Sequence, residues 1–327
     1  MYKESYVVLT SICIFVFSFI LSAIVNKLVI SIQVKKVYGQ SINSYLLTNH
    51  QKKKNTPTLG GIGIVISILL STIFYYYYYT KAYFIALICM LVVFFLIGFI
   101  DDFIKIKFKN FHGLSSYIRF FIEALSAVFC FIYLENHYDF SFVNLLGDYQ
   151  IYLGALSVLF FILVIVGSAN SVNLTDGLDG LSSSLFLLAI IPFIIFSINQ
   201  KEYYLTYLLI SSFGAVLGFI LFNLHPSKLF MGDSGSLSLG ALLGVSSLIL
   251  HREFFLIISG GLFIFETLSV ILQVTSYKLF KKRIFFMSPF HHHLEIKGYK
   301  EYQIVMYFFI FGVILLVISL FLFSIFG

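Results

Sequence analysis

Charge is what this chain has least of. Only 11% of its 327 residues are Asp, Glu, Lys or Arg, where a soluble domain carries roughly 25%. So few charges cannot cover a water-facing surface of that size, which excludes a soluble enzyme and a disordered chain. Tryptophan is absent, and 40 Phe and 22 Tyr supply the aromatic character. Cysteine is scarce: Cys13, Cys89 and Cys130 sit in apolar runs without metal-ligand spacing, so neither a disulfide framework nor a thiolate site is implied. Acids inside the apolar runs are limited to Glu123 and Glu266. No half-length, Gly/Pro-broken segment recurs in two halves, as it would in a transporter that binds cargo at the bilayer midplane. These two absences argue against a transporter or channel.

What the chain has in abundance is apolar sequence, in runs of about 20 residues, the length that crosses a bilayer as a helix. Ten spans are expected, at 5–31, 58–79, 82–100, 115–134, 151–169, 179–198, 202–222, 235–250, 254–278 and 303–326. The fold class is all-α, one ten-helix transmembrane domain over 1–327. The first run is too long for a cleaved signal and has no basic segment before it beyond Lys3, so it is kept as a span. Tyr75 to Tyr79 suit an interfacial anchor. Loops after the odd-numbered spans carry fifteen lysines and arginines, against four on the other side: Lys3, Lys81, Lys201 and Arg252. By the positive-inside rule both termini lie outside and the odd loops face the cytoplasm. Acids on the outer side are scattered singly. Those on the inner side are clustered with Gly, Asn, Thr and His, so the chemistry is expected on the cytoplasmic face.

Five polar constellations lie on that face. Asp101-Asp102 follow directly on an apolar run. Two acids at a helix C-terminus repel each other and oppose the helix dipole, so a metal-linked or base-capable pair is expected, with Lys105 one turn away for an anion. Asn170 to Gly180 holds two Asp-Gly pairs whose turns converge backbone N–H groups. Oxygens of Asn173, Thr175, Asp176 and Asp179 there suit a sugar, a nucleotide or a hydrated Mg²⁺, although the calcium-loop pattern is missing. Met231-Gly232-Asp233-Ser234-Gly235-Ser236 opens a span, with Asp233 and Ser234 at the expected N-cap and a helix N-terminus ready for an anion. Asn223, His225 and Pro226 add polar groups just upstream. Thr56-Pro57-Thr58-Leu59-Gly60-Gly61 follows Lys52-Lys53-Lys54, which suits either a polyphosphate or positive-inside anchoring. Pro289 to Glu295 contains His291, His292 and His293. Three consecutive residues cannot all face one zinc ion, so imidazoles beside phosphates or base edges are the better reading.

Together these five ordered motifs resemble the polyprenyl-phosphate N-acetylhexosamine-1-phosphate transferases, over residues 50 to 300. Pro289 to Glu295, with Glu266 to Val274, resembles the branch that transfers phospho-N-acetylmuramoyl-pentapeptide. The resemblance implies transfer from UDP-MurNAc-pentapeptide to undecaprenyl phosphate, giving lipid I and UMP, with Mg²⁺ as cofactor. It also implies a multi-pass protein of the bacterial plasma membrane, a homodimer in membrane lipid, and no nucleic-acid partner. Carried over, Asp233 is similar to the metal-binding aspartate, and Asp101 and Asp102 to the paired catalytic acids. Asn170, Asn173, Asp176 and Asp179 match the nucleotide-sugar loop, Phe230 an aromatic stacking on uracil, and Lys53 and Thr58 uridine-side contacts. Asn223 matches a polar active-site partner, with His291 and His292 as motif histidines and Lys105 and Arg119 as phosphate cations. The chain departs from the family pattern at Asn55, where Gly is usual, and at Arg119, where Lys is usual. Two mechanisms stay open: in-line attack by the lipid phosphate, or an aspartyl-phosphate intermediate. A sibling enzyme transferring N-acetylglucosamine-1-phosphate is the alternative function, and the His triplet argues against it.

Overall fold

The computed structural model describes residues 2–36, 56–76, 82–108, 113–147 and 149–326. Lys53 and Tyr77–Tyr79 lie outside them. Twelve α-helices are described: α1 (Tyr2–Lys36), α2 (Gly60–Tyr76), α3 (Ala82–Phe108), α4 (Ser116–Glu135), α5 (Ser157–Thr175), α6 (Leu181–Asn199), α7 (Tyr203–Asn223), α8 (Gly232–Ile249), α9 (Glu253–Ser259), α10 (Gly261–Phe280), α11 (Phe290–Ile296) and α12 (Glu301–Phe326). Eight are long and apolar enough to span a membrane, and α2 and α8 are shorter or less apolar. This is an all-α polytopic membrane protein, with one small antiparallel hairpin of β1 (Phe142–Asn144) and β2 (Gln150–Tyr152).

Helix α8 forms the axis. Every residue from Ser234 to Ile249 is buried, and α3, α5 and α2 pack around it. Its sequence, Gly-Asp-Ser-Gly-Ser-Leu-Ser-Leu-Gly-Ala-Leu-Leu-Gly, explains this. Without a hydrophobic force between helices in lipid, small residues let backbones close on one another. A Cβ on Gly98 of α3 would strike the Asp233 carbonyl, and one on Gly61 of α2 would strike the Gly235 backbone. Outer faces are apolar toward lipid: Leu9, Phe121, Leu163, Phe311 and Phe321 are all exposed.

Several expected boundaries are corrected. Helix α3 does not stop at Ile100 but runs two turns further, carrying Asp101 and Asp102 inside it. The acid pair is tolerated because Lys105 one turn on neutralises Asp101, at 2.5 Å, and Lys105 and Lys107 favour the dipole's negative end. Helix α5 likewise continues to Thr175, so Asn170 and Asn173 lie on its last turns rather than in a loop. Its N-terminal end begins at Ser157, because Phe142–Asn144 and Gln150–Tyr152 pair as a hairpin before it. The single span expected at 254–278 is two helices broken at Gly260, where adjacent glycines weaken the helix by roughly 1 kcal/mol each. Helix α9 packs on α8, α6 and α12, while α10 turns away along α5.

Candidate active site

One end of the bundle gathers polar side chains from most of the helices. Asp101 and Asp102 arrive on α3 and Asp233 on the first turn of α8, with oxygens of all three within 4.8 Å of one another. The three acids have different surroundings. Asp102 spends both oxygens on α8: Oδ1 accepts from the Asp233 N–H at 3.1 Å and Oδ2 from the Ser234 N–H at 3.0 Å. Sequence alone places the cap on Asp233 or Ser234. The structure instead has Met231 at that position, with no side-chain cap bond, and Asp102 satisfies the orphan N–H groups from the neighbouring helix. Asp233 is thereby released to face the cleft.

The Asp233 carboxylate is met from three sides. Lys105 Nζ lies 3.0 Å and Arg119 Nη1 3.2 Å from Oδ2, and Asn173 donates to Oδ1 at 2.9 Å. Arg119 is itself positioned: Nη2 donates to Asn170 Oδ1 at 3.3 Å and Nε lies 3.7 Å from Glu123 Oε1. Asn170 in turn donates to Glu123 Oε2 at 2.6 Å. Glu123, fully buried in α4, therefore anchors both the cation and the amide. Asp101 Oδ1 accepts from the Leu114 N–H at 2.6 Å, tying the segment before α4 to α3. Gly113 there has φ +54°, and a Cβ on it would collide with the Asp101 carboxylate.

The Asp176 to Gly180 turn faces this cluster. Burial, with Asp233, Asp102 and Asp179 nearby, pushes the Asp176 carboxyl well above the ordinary range. Asp179 is buried, and its Oδ2 binds His225 Nδ1 at 3.0 Å and the Ser227 N–H at 3.1 Å. Its own N–H donates to Glu301 Oε1 at 2.6 Å. Asn223 is spent on scaffolding: its carbonyl accepts from Gly180 N and Ser183 Oγ, and its amide donates to Leu229 O. That fixes the segment carrying Phe230, whose N–H and carbonyl bond to Pro57 O and Gly60 N. Thr58 is held beside it, because Gln33 of α1 bonds both its N–H and its carbonyl.

The three histidines diverge. His291 is fully buried with its Nδ1 3.4 Å from Glu266 Oε2. A Cβ on Gly177 would strike its Nε2, so the ring sits directly against the Asp-Gly turn. His292 is held by Glu295 at 2.6 Å, and His293 accepts from the Phe286 N–H and stacks on that ring. No single ion could engage all three. Glu266 holds the helix that carries them: its oxygens accept from the Phe290 and His291 N–H groups at 2.7 and 3.1 Å.

Apart from Lys53, the sequence-predicted residues thus converge on one end, with Asn223 and His292 turned to structural partners. Sequence reading missed Gln33 and Glu301. The polar Gln33 within an apolar stretch was the available signal, whereas Glu301 reads as an ordinary helix-start acid. Two clusters among the described residues could hold a cation: Asp101, Asp102 and Asp233, and Asp179, His225 and Glu301. The first offers only hard oxygen donors, the set that suits Mg²⁺ rather than a softer metal. Since both oxygens of Asp102 are committed to backbone N–H groups of α8, Asp233 and Asp101, whose partners are the side chains of Lys105, Arg119 and Asn173 and the Leu114 N–H, are the acids that would take it.

Comparison with known proteins gives the family. The family described as glycosyl transferase family 4 matches residues 83–251, from α3 through the end of α8. A Geobacillus sp. (strain WCH70) protein named phospho-N-acetylmuramoyl-pentapeptide-transferase is 37% identical over 310 residues, covering 94% of this chain and 96% of its own. Proteins of the same name from Bacillus subtilis (strain 168) and Bacillus thuringiensis (strain Al Hakam) are 37% and 36% identical over 308 residues, 93% of this chain and 95% of theirs. Identity of that extent, over more than nine-tenths of both chains, makes this chain a member of the phospho-N-acetylmuramoyl-pentapeptide transferase family.

Proposed function

We propose that the protein transfers phospho-N-acetylmuramoyl-pentapeptide from UDP-MurNAc-pentapeptide to undecaprenyl phosphate, releasing UMP and forming lipid I, at the cytoplasmic face of the bacterial plasma membrane. The convergence of Asp101 and Asp233 with Lys105 and Arg119 is the observation that carries the reading. Both substrates bear phosphate, and two anions must be brought together against their repulsion. Mg²⁺ held by Asp233 and Asp101 would neutralise pyrophosphate oxygens and the charge developing on leaving UMP. Lys105 and Arg119 supply fixed positive charge beside it. His291, against the Gly177 turn, is a donor to the same phosphates.

The lipid phosphate's second pKa is about 6, so it is largely a dianion already. Asp101 then positions it or removes its last proton, and in-line attack needs no covalent intermediate. Asp102 acts through Asp233, since both its oxygens are committed to backbone N–H groups. Asp176, Asp179 and Phe230 form the nucleotide side of the cleft, with Asn170, Asn173 and Thr58 lining it. The whole chain acts as one transmembrane domain and works as a homodimer.

The test is UMP release by purified protein in detergent, with undecaprenyl phosphate and Mg²⁺, comparing UDP-MurNAc-pentapeptide with UDP-GlcNAc. Release from the muropeptide alone, reduced on the order of 10²-fold or more in Asp233→Asn, is expected. Release from UDP-GlcNAc alone would move the protein to the sibling activity. Trapping a phosphosugar on the enzyme without lipid would replace in-line attack by the two-step route.

A further inference from the structure

The end of α10 carries a dense block of positive charge that the transfer reaction does not use. Lys278, Lys281, Lys282 and Arg283 fall within six residues, and no acid occurs between Glu266 and Glu295. Lys278, Lys282 and Arg283 have no carboxylate partner among the described residues. The chain reverses here through a built turn. Lys281 is left-handed, with φ 55°. Gln273 clamps the returning segment: its carbonyl accepts from the Ile284 and Phe285 N–H groups at 3.0 and 2.9 Å, and its amide donates to Phe285 O at 2.9 Å. Ser276 Oγ donates to Lys282 O at 2.9 Å.

The reversal borders an open groove of about 320 Å³ lined by Gln273, Tyr277, Lys278, Arg283 and Phe286, at the small end of the range for ligand pockets. Leu279, Phe280, Ile284 and Phe286 around it are exposed. Cations beside exposed side chains that need hydrocarbon are what an anionic lipid headgroup requires. We propose that the α10 hairpin binds an anionic phospholipid, with Lys278 and Arg283 on the headgroup phosphate and Leu279, Phe280, Ile284 and Phe286 among its acyl chains. The site is separate from the three-aspartate cleft and serves lipid selection around the enzyme rather than the transferred group.

The absence of tryptophan makes this testable, because Phe280→Trp places a single tryptophan at the tip, which can be excited selectively over the tyrosines. The full chain in nanodiscs is titrated with brominated phosphatidylglycerol in phosphatidylcholine, then with brominated phosphatidylcholine in phosphatidylglycerol at equal mole fraction. Quenching that favours phosphatidylglycerol is expected. Lys278→Gln with Arg283→Gln is expected to weaken the preference by about tenfold or more, whereas Lys278→Arg with Arg283→Lys retains it. Salt titration of the reporter protein gives the same readout without removing a charge, and the preference should fall as ionic strength rises. Equal quenching by the two lipids, or a preference indifferent to salt and to the paired Gln changes, overturns the proposal. So does loss of the preference on adding free glycerol 1-phosphate, which would assign the groove to a soluble phosphate.

Discussion

Asp101 and Asp102 are neighbours in the chain and differ in what their oxygens meet. That difference decides what each can contribute: one carboxylate is a cap, the other faces the cleft. Glu266 repeats the capping arrangement on the other side of the site, where one membrane-embedded carboxylate receives the Phe290 and His291 N–H groups. Glutamine at 266 could accept only one of them, and a buried N–H left unpaired costs about 1–3 kcal/mol. Glu266→Gln is therefore expected to lower kcat by roughly tenfold to a hundredfold, with a smaller change in KM. Since the effect passes through His291, combining it with His291→Ala should cost less than the two single changes added in free energy. Full additivity would show that Glu266 acts elsewhere. Sequence reading finds the acids and histidines because polar residues in so apolar a chain stand out. It does not reveal that Asn223 is spent on Gly180, Ser183 and Leu229, or that Gln33 grips Thr58, because those partners lie far apart in the chain and only packing unites them.

At the scale of elements, the site depends on how closely α8 can be approached. The Asp233 N–H reaches Asp102 only because α3 presents Gly98 at the crossing. Gly98→Ala would press a methyl against the Asp233 carbonyl and Ser234 nitrogen, backbone atoms that cannot rotate away. Overpacking of this kind costs about 1–3 kcal/mol, so a lower Tm in detergent and a lower kcat are expected together. Gly167→Ala in α5 is the contrast: a Cβ there meets nothing within 4 Å, and alanine is the better helix former by about 0.5–1 kcal/mol. An equal Tm loss in both variants would refute the packing argument. Hydropathy makes most of the helices legible because lipid imposes their length. It leaves their ends less certain, since Lys105 sustains α3 past its acids and the last turns of α5 are polar yet still helical. The break at Gly260 escapes it because both halves are apolar.

For the whole molecule, the charge asymmetry and the site agree on one end. Asp101, Asp176, Asp233 and His291 come from separate loops and helices, yet all meet where the lysine-rich connections lie. A UDP-linked substrate cannot cross hydrocarbon and is made in the cytoplasm, whereas the lipid phosphate already resides in the bilayer. On the proposed reaction the cluster opens to the cytoplasm, with the exposed apolar faces of α5 and α10 toward lipid. Lys107 at the end of α3 and Lys201 between α6 and α7 are both exposed and sit at opposite ends of the bundle. Single cysteines placed at each report orientation directly. The native thiols Cys13 and Cys89 face outward along apolar helices and Cys130 is buried, so a charged, membrane-impermeant maleimide should label them little. Lys107→Cys is expected to react only in inside-out vesicles and Lys201→Cys only in right-side-out ones. The reverse pattern would put the cluster on the outer face, away from any UDP-linked donor, and the assigned reaction could not then proceed in the cell.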